Sequence, residues 1–224
     1  MESCENFAGD KKVGVSLLGN IEKKFVQKYV GRVPKFLETY HLTVLTIPWC
    51  VGIIIFSYLA QWNIHRMWLT SLMIVMQYLT DAFDGAVGRL RNTGLIKWGY
   101  YMDHFLDYVF LCSILIGYSF VFKFNDEFNS LFFVLAIFGA FMVNSYLSFA
   151  STNEFKIEYL HIGPTEIRLL FIFINTMVVA FGSTHLRWSL PWVLIFSLFG
   201  LCYVVYETQK YIWKKDMEEK KKRE

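Results

Sequence analysis

Two pairs of aspartates are the residues of this sequence whose type and spacing could do chemistry. Asp81 and Asp84 are three residues apart, and Asp103 and Asp107 are four residues apart. In a helix, both spacings place the two side chains on the same face. A short polar turn around Asn92 separates the two segments, so we predict two antiparallel helices whose carboxylates face each other.

Four carboxylates in one place would repel one another unless cations lie between them. Carboxylate oxygens are hard ligands and are typical of sites for Mg²⁺ or Mn²⁺. Acidic side chains inside a membrane span are costly and usually face a cavity or a partner. The pattern therefore predicts a site for two ions of Mg²⁺ or Mn²⁺, with the ligands Asp81, Asp84, Asp103 and Asp107.

Two other interpretations of these aspartates stay open from the spacing alone. They could be interfacial side chains that form salt bridges with Arg89 and Arg91, without a chemical role. They could also belong to a proton or cation transporter, because such proteins use aspartates within the membrane. His104 lies between two of the aspartates in sequence, but we expect it on the opposite helix face and assign it no role.

The elements that carry these residues are predicted to cross a membrane. The chain has 224 residues, of which 55% are hydrophobic and 18% charged, and its mean hydropathy is +0.36. Soluble domains have about 25% charged residues, and a helix needs about 20 apolar residues to cross the hydrocarbon core. We therefore predict an all-α, polytopic integral membrane protein with six transmembrane helices, near residues 43–62, 67–90, 100–123, 129–150, 165–184 and 188–209.

Shorter segments are predicted to flank the bundle. Apolar residues recur at helical spacing between Leu17 and Leu37, with lysines between them, which predicts an N-terminal amphipathic helix in the membrane interface. Pro34 is expected to end or kink it, and a solvated helix packed on a partner is the alternative. The predicted division is a cytoplasmic N-terminal segment (1–40), a six-helix catalytic domain (41–210) and a charged cytoplasmic tail (211–224).

The distribution of basic residues predicts the orientation. With six spans, 19 of the 22 Lys and Arg residues lie on the side that holds both ends of the chain and the loop between the aspartate pairs. Cytoplasmic loops carry an excess of basic residues, so the active site is predicted to face the cytoplasm. No Ser/His or Cys/His arrangement indicates a covalent nucleophile, and no nucleic-acid partner is expected.

A second polar cluster, His161-Ile-Gly-Pro-Thr-Glu-Ile-Arg168, opens the fifth predicted span. It could simply start a helix, because Pro, Thr and Glu are common at helix starts. Alternatively, Glu166 and Arg168 turn towards the active cavity and bind the acceptor or the donor. Asn144 and Asn175, in the fourth and fifth spans, are interpreted as groups that form hydrogen bonds between helices.

The aspartate stretch resembles the signature of the CDP-alcohol phosphotransferase (CDP-alcohol phosphatidyltransferase) family, D-x-x-D-G-x-x-A-R-x8-G-x-x-x-D-x-x-x-D. The chain contains Asp81-Ala-Phe-Asp84-Gly85-Ala-Val-Gly88-Arg89 and, after nine intervening residues, Gly99-Tyr-Tyr-Met-Asp103-His-Phe-Leu-Asp107. It departs from the signature twice: Gly88 replaces an alanine, and nine residues instead of eight follow Arg89. Glycine keeps that position small, and the extra residue falls in or beside the turn.

This resemblance implies a phospholipid-synthesising enzyme with a CDP-linked donor, an alcohol acceptor and contact with membrane lipid. It also implies that Asp81, Asp84 and Asp103 bind the metals and that Asp107 is a further ligand or the general base. The CDP-binding residues that it implies are Asp81, Gly85, Gly88, Arg89 and Gly99. We expect direct displacement without a covalent enzyme intermediate, and a homodimer is implied by the resemblance alone.

Two directions of transfer stay open. The favoured one moves a phosphatidyl group from CDP-diacylglycerol to a small polar alcohol, such as inositol, serine or glycerol phosphate, and releases CMP. The alternative moves phosphocholine or phosphoethanolamine from a CDP-aminoalcohol to diacylglycerol, and the segment Gly163-Pro164-Thr165-Glu166 weakly resembles an element of such enzymes. A membrane transporter or scaffold is the non-enzymatic alternative.

Overall fold

The computed structural model of this chain describes residues 18–93, 95–122, 128–152, 163–182 and 184–223. Within these ranges the chain is helical, with short turns and without β-strands, which confirms the all-α prediction. The α-helices in chain order are α1 (Gly19–Tyr29), α2 (Thr39–Val44), α3 (Thr46–Leu59), α4 (Met67–Arg91), α5 (Ile96–Val121), α6 (Phe128–Thr152), α7 (Pro164–Phe181) and α8 (Thr184–Arg223).

Five segments of the described chain are long and apolar enough to cross a membrane: Thr39–Leu59, Ile96–Val121, Ser130–Thr152, Pro164–Phe181 and Trp188–Lys222. These helices confirm the prediction of a polytopic membrane protein. The second predicted span coincides with α4, which is not among the five because its polar residues, including Asp81 and Asp84, lower its hydropathy. The count of six crossings therefore stays a prediction that depends on α4.

Helix α3 packs against both α4 and α5. Two glycines allow this close approach. A Cβ atom at Gly52 would lie 2.7 Å from Sδ of Met73, and one at Gly117 would lie 2.7 Å from Oγ of Ser57. The hydroxyl of Ser57 also shares a hydrogen bond of 3.2 Å with Oγ1 of Thr70, so α3 is joined to α4 by both packing and a polar contact.

The two helices that carry the aspartates are not closely packed against each other in the described chain. The sequence led us to expect direct antiparallel packing of α4 on α5, and this part of the expectation was wrong. The glycines let α3 lie against both helices, and α7 packs on α4. The aspartates of α4 and α5 therefore meet through side chains and not through a tight helix interface.

Polar residues within the bundle form hydrogen bonds between helices. Asn175 donates to Oγ of Ser71 at 3.0 Å and accepts from the hydroxyl of Tyr118 at 3.0 Å, which joins α7 to α4 and α5. Asn144 donates to Oγ1 of Thr208 at 3.4 Å and joins α6 to α8. Both asparagines thus have the structural role that the sequence predicted.

Helix α8 is longer than the predicted sixth span because it continues without a break into the charged tail. Its 40 residues correspond to about 60 Å, twice the thickness of the hydrocarbon core. Lys and Glu, which dominate the sequence after position 213, favour helix. The predicted boundary at residue 210 is therefore not marked by a helix end.

The N-terminal helix is shorter than the sequence pattern suggested. Helix α1 ends at Tyr29 and is followed by a 3₁₀ turn at Val30–Arg32, so it stops before Pro34. Ile21 is 66% exposed and Phe25 is 40% exposed, while Val26 is buried. Residues 1–17 lie outside the described chain, and the position of α1 in the membrane interface stays a prediction.

Candidate active site

A buried arginine joins the two aspartate pairs. Arg168, in the first turns of α7, is 4% exposed. Its Nη2 donates to Oδ2 of Asp81 at 2.8 Å and to Oδ1 of Asp107 at 3.3 Å. One residue from α4 and one from α5 are therefore neighbours, although their helices are not closely packed. The sequence left two interpretations of Arg168, part of a simple helix start or a side chain that faces the active cavity. The structure shows the side chain directed inward.

The guanidinium of Arg168 is held on its other sides by residues of α4 and α5. Its Nε donates to Oε1 of Gln77 at 2.7 Å, and its Cζ lies 5.6 Å from the centre of the Phe110 ring. Gln77 is 1% exposed and Phe110 is 6% exposed. The arginine is therefore positioned by a hydrogen bond and a cation–π contact in addition to its two ion pairs.

Asp84 is held by a residue of α2. Thr43 donates from Oγ1 to Oδ2 of Asp84 at 3.0 Å, and the other carboxylate oxygen accepts from the backbone N–H of Gly85. The hydroxyl of Thr43 is also 3.1 Å from the carbonyl oxygen of Thr39, one turn earlier in α2. Because α2 packs on α4, this contact orients Asp84 from outside the signature.

Asp103 lies on the more exposed side of α5, where 34% of its side chain is accessible. Its Oδ2 is 3.8 Å from Nδ1 of His104. The ring of His104 is directed towards α6, where it contacts Tyr146 at 5.4 Å between ring centres. Nδ1 of His104 is also 2.7 Å from the carbonyl oxygen of Tyr100, so this histidine has structural partners on its own helix and on α6.

The glycines and the arginine of the signature lie at the end of α4 and the start of α5. A Cβ atom at Gly85 would come within 3.3 Å of Nη1 of Arg89, so the missing side chain gives the guanidinium room to fold back along the helix. Gly88 is buried, and Arg89 is exposed. Apart from its chain neighbours and the backbone of its own helix, no atom of the described residues lies within 4 Å of a would-be Cβ at Gly99, which leaves this side open to a ligand.

The carboxylate of Glu166 accepts hydrogen bonds from two backbone N–H groups. Its Oε2 accepts from the backbone N–H of Gly163 at 2.9 Å, and its Oε1 accepts from the N–H of Leu18 at 2.9 Å. The neighbouring Thr165 donates to the carboxylate of Glu22 in α1. Glu166 thus caps its own helix and ties α7 to the N-terminal helix; His161 lies outside the described residues.

Sequence reasoning missed Thr43 and Gln77. Thr43 lies in an apolar run and gave no signal of a partner 41 residues away. Gln77 did give a signal, since it is an uncharged amide in the middle of a predicted span, one helical turn before Asp81 and on the same face.

The donor chemistry of this region fits Mg²⁺ or Mn²⁺. The side chains of Asp81 and Asp107 are 23% and 30% exposed, and together they already contact one cation, the guanidinium of Arg168. In the described chain, no three His, Cys, Asp or Glu side chains are grouped as a complete metal site. Mg²⁺ does not require one, because it is usually held by one or two carboxylates, water and substrate phosphates.

Comparison with protein families defines the class of this protein. The family model of CDP-alcohol phosphatidyltransferase matches residues 38–200, which include α2 to α7 and all four aspartates. The match covers well over half of the chain, and the chain therefore belongs to the CDP-alcohol phosphatidyltransferase family. Its members are membrane transferases that use a CDP-linked donor and an alcohol acceptor. A search of curated proteins found no match.

Proposed function

We propose that this protein transfers a phosphatidyl group from CDP-diacylglycerol to a small polar alcohol and releases CMP, with the help of a divalent metal. Family membership supports phosphatidyl transfer from a CDP-linked donor. The observation that carries the proposal is the convergence of Asp81 and Asp107, from the two halves of the signature, on one buried cation. This convergence supports a single site built from both halves.

In this proposal Asp81, Asp84 and Asp103 hold Mg²⁺ or Mn²⁺, and Asp107 is a further ligand or the general base. When bound, the metal would stabilise negative charge on the attacked phosphate and on departing CMP. The hydrogen bond from Thr43 orients Asp84 for this role, and the partial exposure of Asp81 and Asp103 keeps their oxygens within reach of solvent and substrate.

The donor would lie along the end of α4 and the start of α5. Arg89 is exposed and can counter the charge of the pyrophosphate. Gly85 leaves room for its guanidinium, Gly88 allows a close backbone approach, and Gly99 borders open space. Asp81 would complete this CDP site.

The reaction would proceed by direct displacement. Asp107 accepts the proton of the acceptor hydroxyl, a bond forms between the acceptor oxygen and the phosphorus of the phosphatidyl group, and the bond from that phosphorus to CMP breaks. Arg168 contacts the proposed base, so it lies close to where the acceptor must bind. Glu166, which the sequence also suggested for the acceptor, contacts the backbone of α1 and α7 instead.

The alternative direction, from a CDP-aminoalcohol to diacylglycerol, was suggested by the segment Gly163-Pro164-Thr165-Glu166. The capping contacts of Glu166 offer a local structural reason for that segment. We therefore favour the phosphatidyl direction.

The test is an assay of purified protein in liposomes, which offers CDP-diacylglycerol with a panel of polar alcohols and, separately, CDP-choline with diacylglycerol. We expect Mg²⁺-dependent CMP release and a phosphatidyl lipid product with the first donor. Asp84→Ala should lower the rate at least about a hundredfold, while the exposed tail variant Asp216→Ala serves as the matched control.

Each contrary result has a defined meaning. Product from CDP-choline would favour the alternative direction, and undiminished activity in a chelator would exclude metal dependence. Absence of CMP release from either donor would favour a transporter or scaffold.

A further inference from the structure

Arg168 brings a full positive charge into the place where two signature aspartates meet. Its Nη2 contacts Asp81 at 2.8 Å and Asp107 at 3.3 Å, and the side chain is almost completely buried. Two neighbouring carboxylates without a cation would repel each other. Arg168 is a cation supplied by the chain itself, and its positive charge allows the two carboxylates to lie close together.

The guanidinium of Arg168 is held in a defined position by two further side chains. Gln77 Oε1 accepts from Nε at 2.7 Å, and Cζ of Arg168 lies over the Phe110 ring, 5.6 Å from its centre. In this orientation, Nε2 of Gln77 is buried without a hydrogen-bond partner in the described part of the chain. The amide is thus oriented to hold Arg168, although its own donor gains no partner.

The carboxylate oxygens that contact Arg168 belong to residues that the proposed function assigns to the metal. Each carboxylate oxygen has two lone pairs, so a metal ion that approaches the oxygen in contact with Arg168 competes with the guanidinium for the same negative charge. The positive guanidinium also repels a divalent cation at short distance.

We propose that Arg168 is an internal counter-cation that competes with the divalent metal for Asp81 and Asp107. It keeps the aspartates together when no metal is bound, and metal binding displaces the guanidinium from at least one carboxylate. The inference rests on the proposed metal dependence, and it makes Arg168 a positioning residue that sets the metal concentration needed to fill the site.

The test measures Mn²⁺ binding by electron paramagnetic resonance on the full chain in detergent, without donor or acceptor. Arg168→Gln should bind Mn²⁺ about tenfold more tightly than the unchanged protein, within the usual range of coupling between sites. The control is Arg66→Gln, which removes the same charge just before the start of α4, about 22 Å along the helix from Asp81. The guanidinium of Arg66 contacts the carbonyl oxygen of Leu59, and its removal should leave the Mn²⁺ affinity unchanged.

A second measurement separates this role from general damage to the fold. Arg168→Gln should unfold at a lower temperature than the unchanged protein in a chelator, and Mn²⁺ should raise its unfolding temperature by a larger increment, because tighter binding stabilises the folded state more. If Arg168→Gln does not fold, Arg168→Lys retains the charge but loses the planar fork and should show a smaller gain in Mn²⁺ affinity.

Unchanged or weaker Mn²⁺ binding by the folded Arg168 variants would overturn the inference. A failure of the proposed metal dependence would look different: the unchanged protein would bind no Mn²⁺, or Asp84→Ala, which leaves the Arg168 contacts in place, would bind it as well as the unchanged protein.

Discussion

Asp107 combines a partly exposed carboxylate with an ion pair to a buried arginine. Its side chain is 30% exposed, and Arg168 contacts it at 3.3 Å. Exposure allows an acceptor hydroxyl to approach, and the fixed guanidinium limits the orientations of the carboxylate. These two properties suit a group that must accept a proton from a substrate in one defined position.

We predict that Asp107→Asn lowers kcat by about 10² to 10⁴, the usual contribution of a general base, while affinity for CDP-diacylglycerol stays nearly unchanged. Asparagine has the same size and can still accept a hydrogen bond from Arg168, so the site should remain assembled. Steady-state kinetics and equilibrium binding of the donor measure the two effects. Near-normal turnover by the purified variant would remove Asp107 from the role of base.

Among single residues, the sequence predicts those whose partners are only a few positions away, and it misses those whose partners are brought near by the tertiary fold. Asp81 and Asp84 are recognisable because three residues of separation place them on one helical face. The contact of Asp81 with Arg168 spans 87 positions, and that of Thr43 with Asp84 spans 41. No local pattern encodes such contacts, because they depend on which helices pack together.

Among the helices, α7 and α1 are joined by polar contacts at their first turns. Glu166 accepts from the backbone of Leu18, and Thr165 donates to Glu22. The N-terminal helix is therefore held next to the helix that supplies Arg168. A structural role for Glu166 and a role in acceptor binding predict different consequences when its carboxylate is removed.

We expect Glu166→Ala to loosen α1 without changing the KM for the acceptor alcohol. The substitution removes a helix cap, at a cost of about 1 kcal/mol, together with the bond to Leu18. Hydrogen exchange followed by mass spectrometry should show faster exchange in residues 18–29. Glu207→Ala, on an exposed face of α8, is the control. A large rise in KM with unchanged exchange would instead place Glu166 at the acceptor.

The sequence predicts the helices well where long apolar runs or a proline define them, as at Pro164, the first residue of α7. It does not predict how α4 and α5 are arranged. A short turn between two helices usually means direct antiparallel packing, but Gly52 and Gly117 give α3 a closer fit to both of them. The sequence shows that these two positions are small, but it does not show that they pack against Met73 and Ser57.

For the whole molecule, the count of crossings decides which side of the membrane holds the site. Five segments of the described chain are apolar enough to span by themselves, and α4 is more polar because it carries half of the signature. If α4 does cross, its two ends lie on opposite sides. The excess of Lys and Arg near the chain ends then places the aspartates near the cytoplasmic surface.

This topology predicts the reactivity of single cysteines introduced into a cysteine-free background in sealed vesicles. Leu95→Cys and Lys221→Cys should react with a membrane-impermeant maleimide from the cytoplasmic side, and Gln61→Cys should react from the other side. All three positions are exposed. Labelling of positions 61 and 95 from the same side would mean that α4 does not cross the membrane.

The uninterrupted course of α8 has a mechanical consequence outside the bilayer. The helix continues for 14 residues after position 209, which corresponds to about 20 Å of rigid rod. If the sixth span ends near residue 209 as the sequence predicts, this stiff spacer keeps the charged end of the helix away from the lipid surface, and tilting of the membrane-embedded part would swing that end through a wider arc.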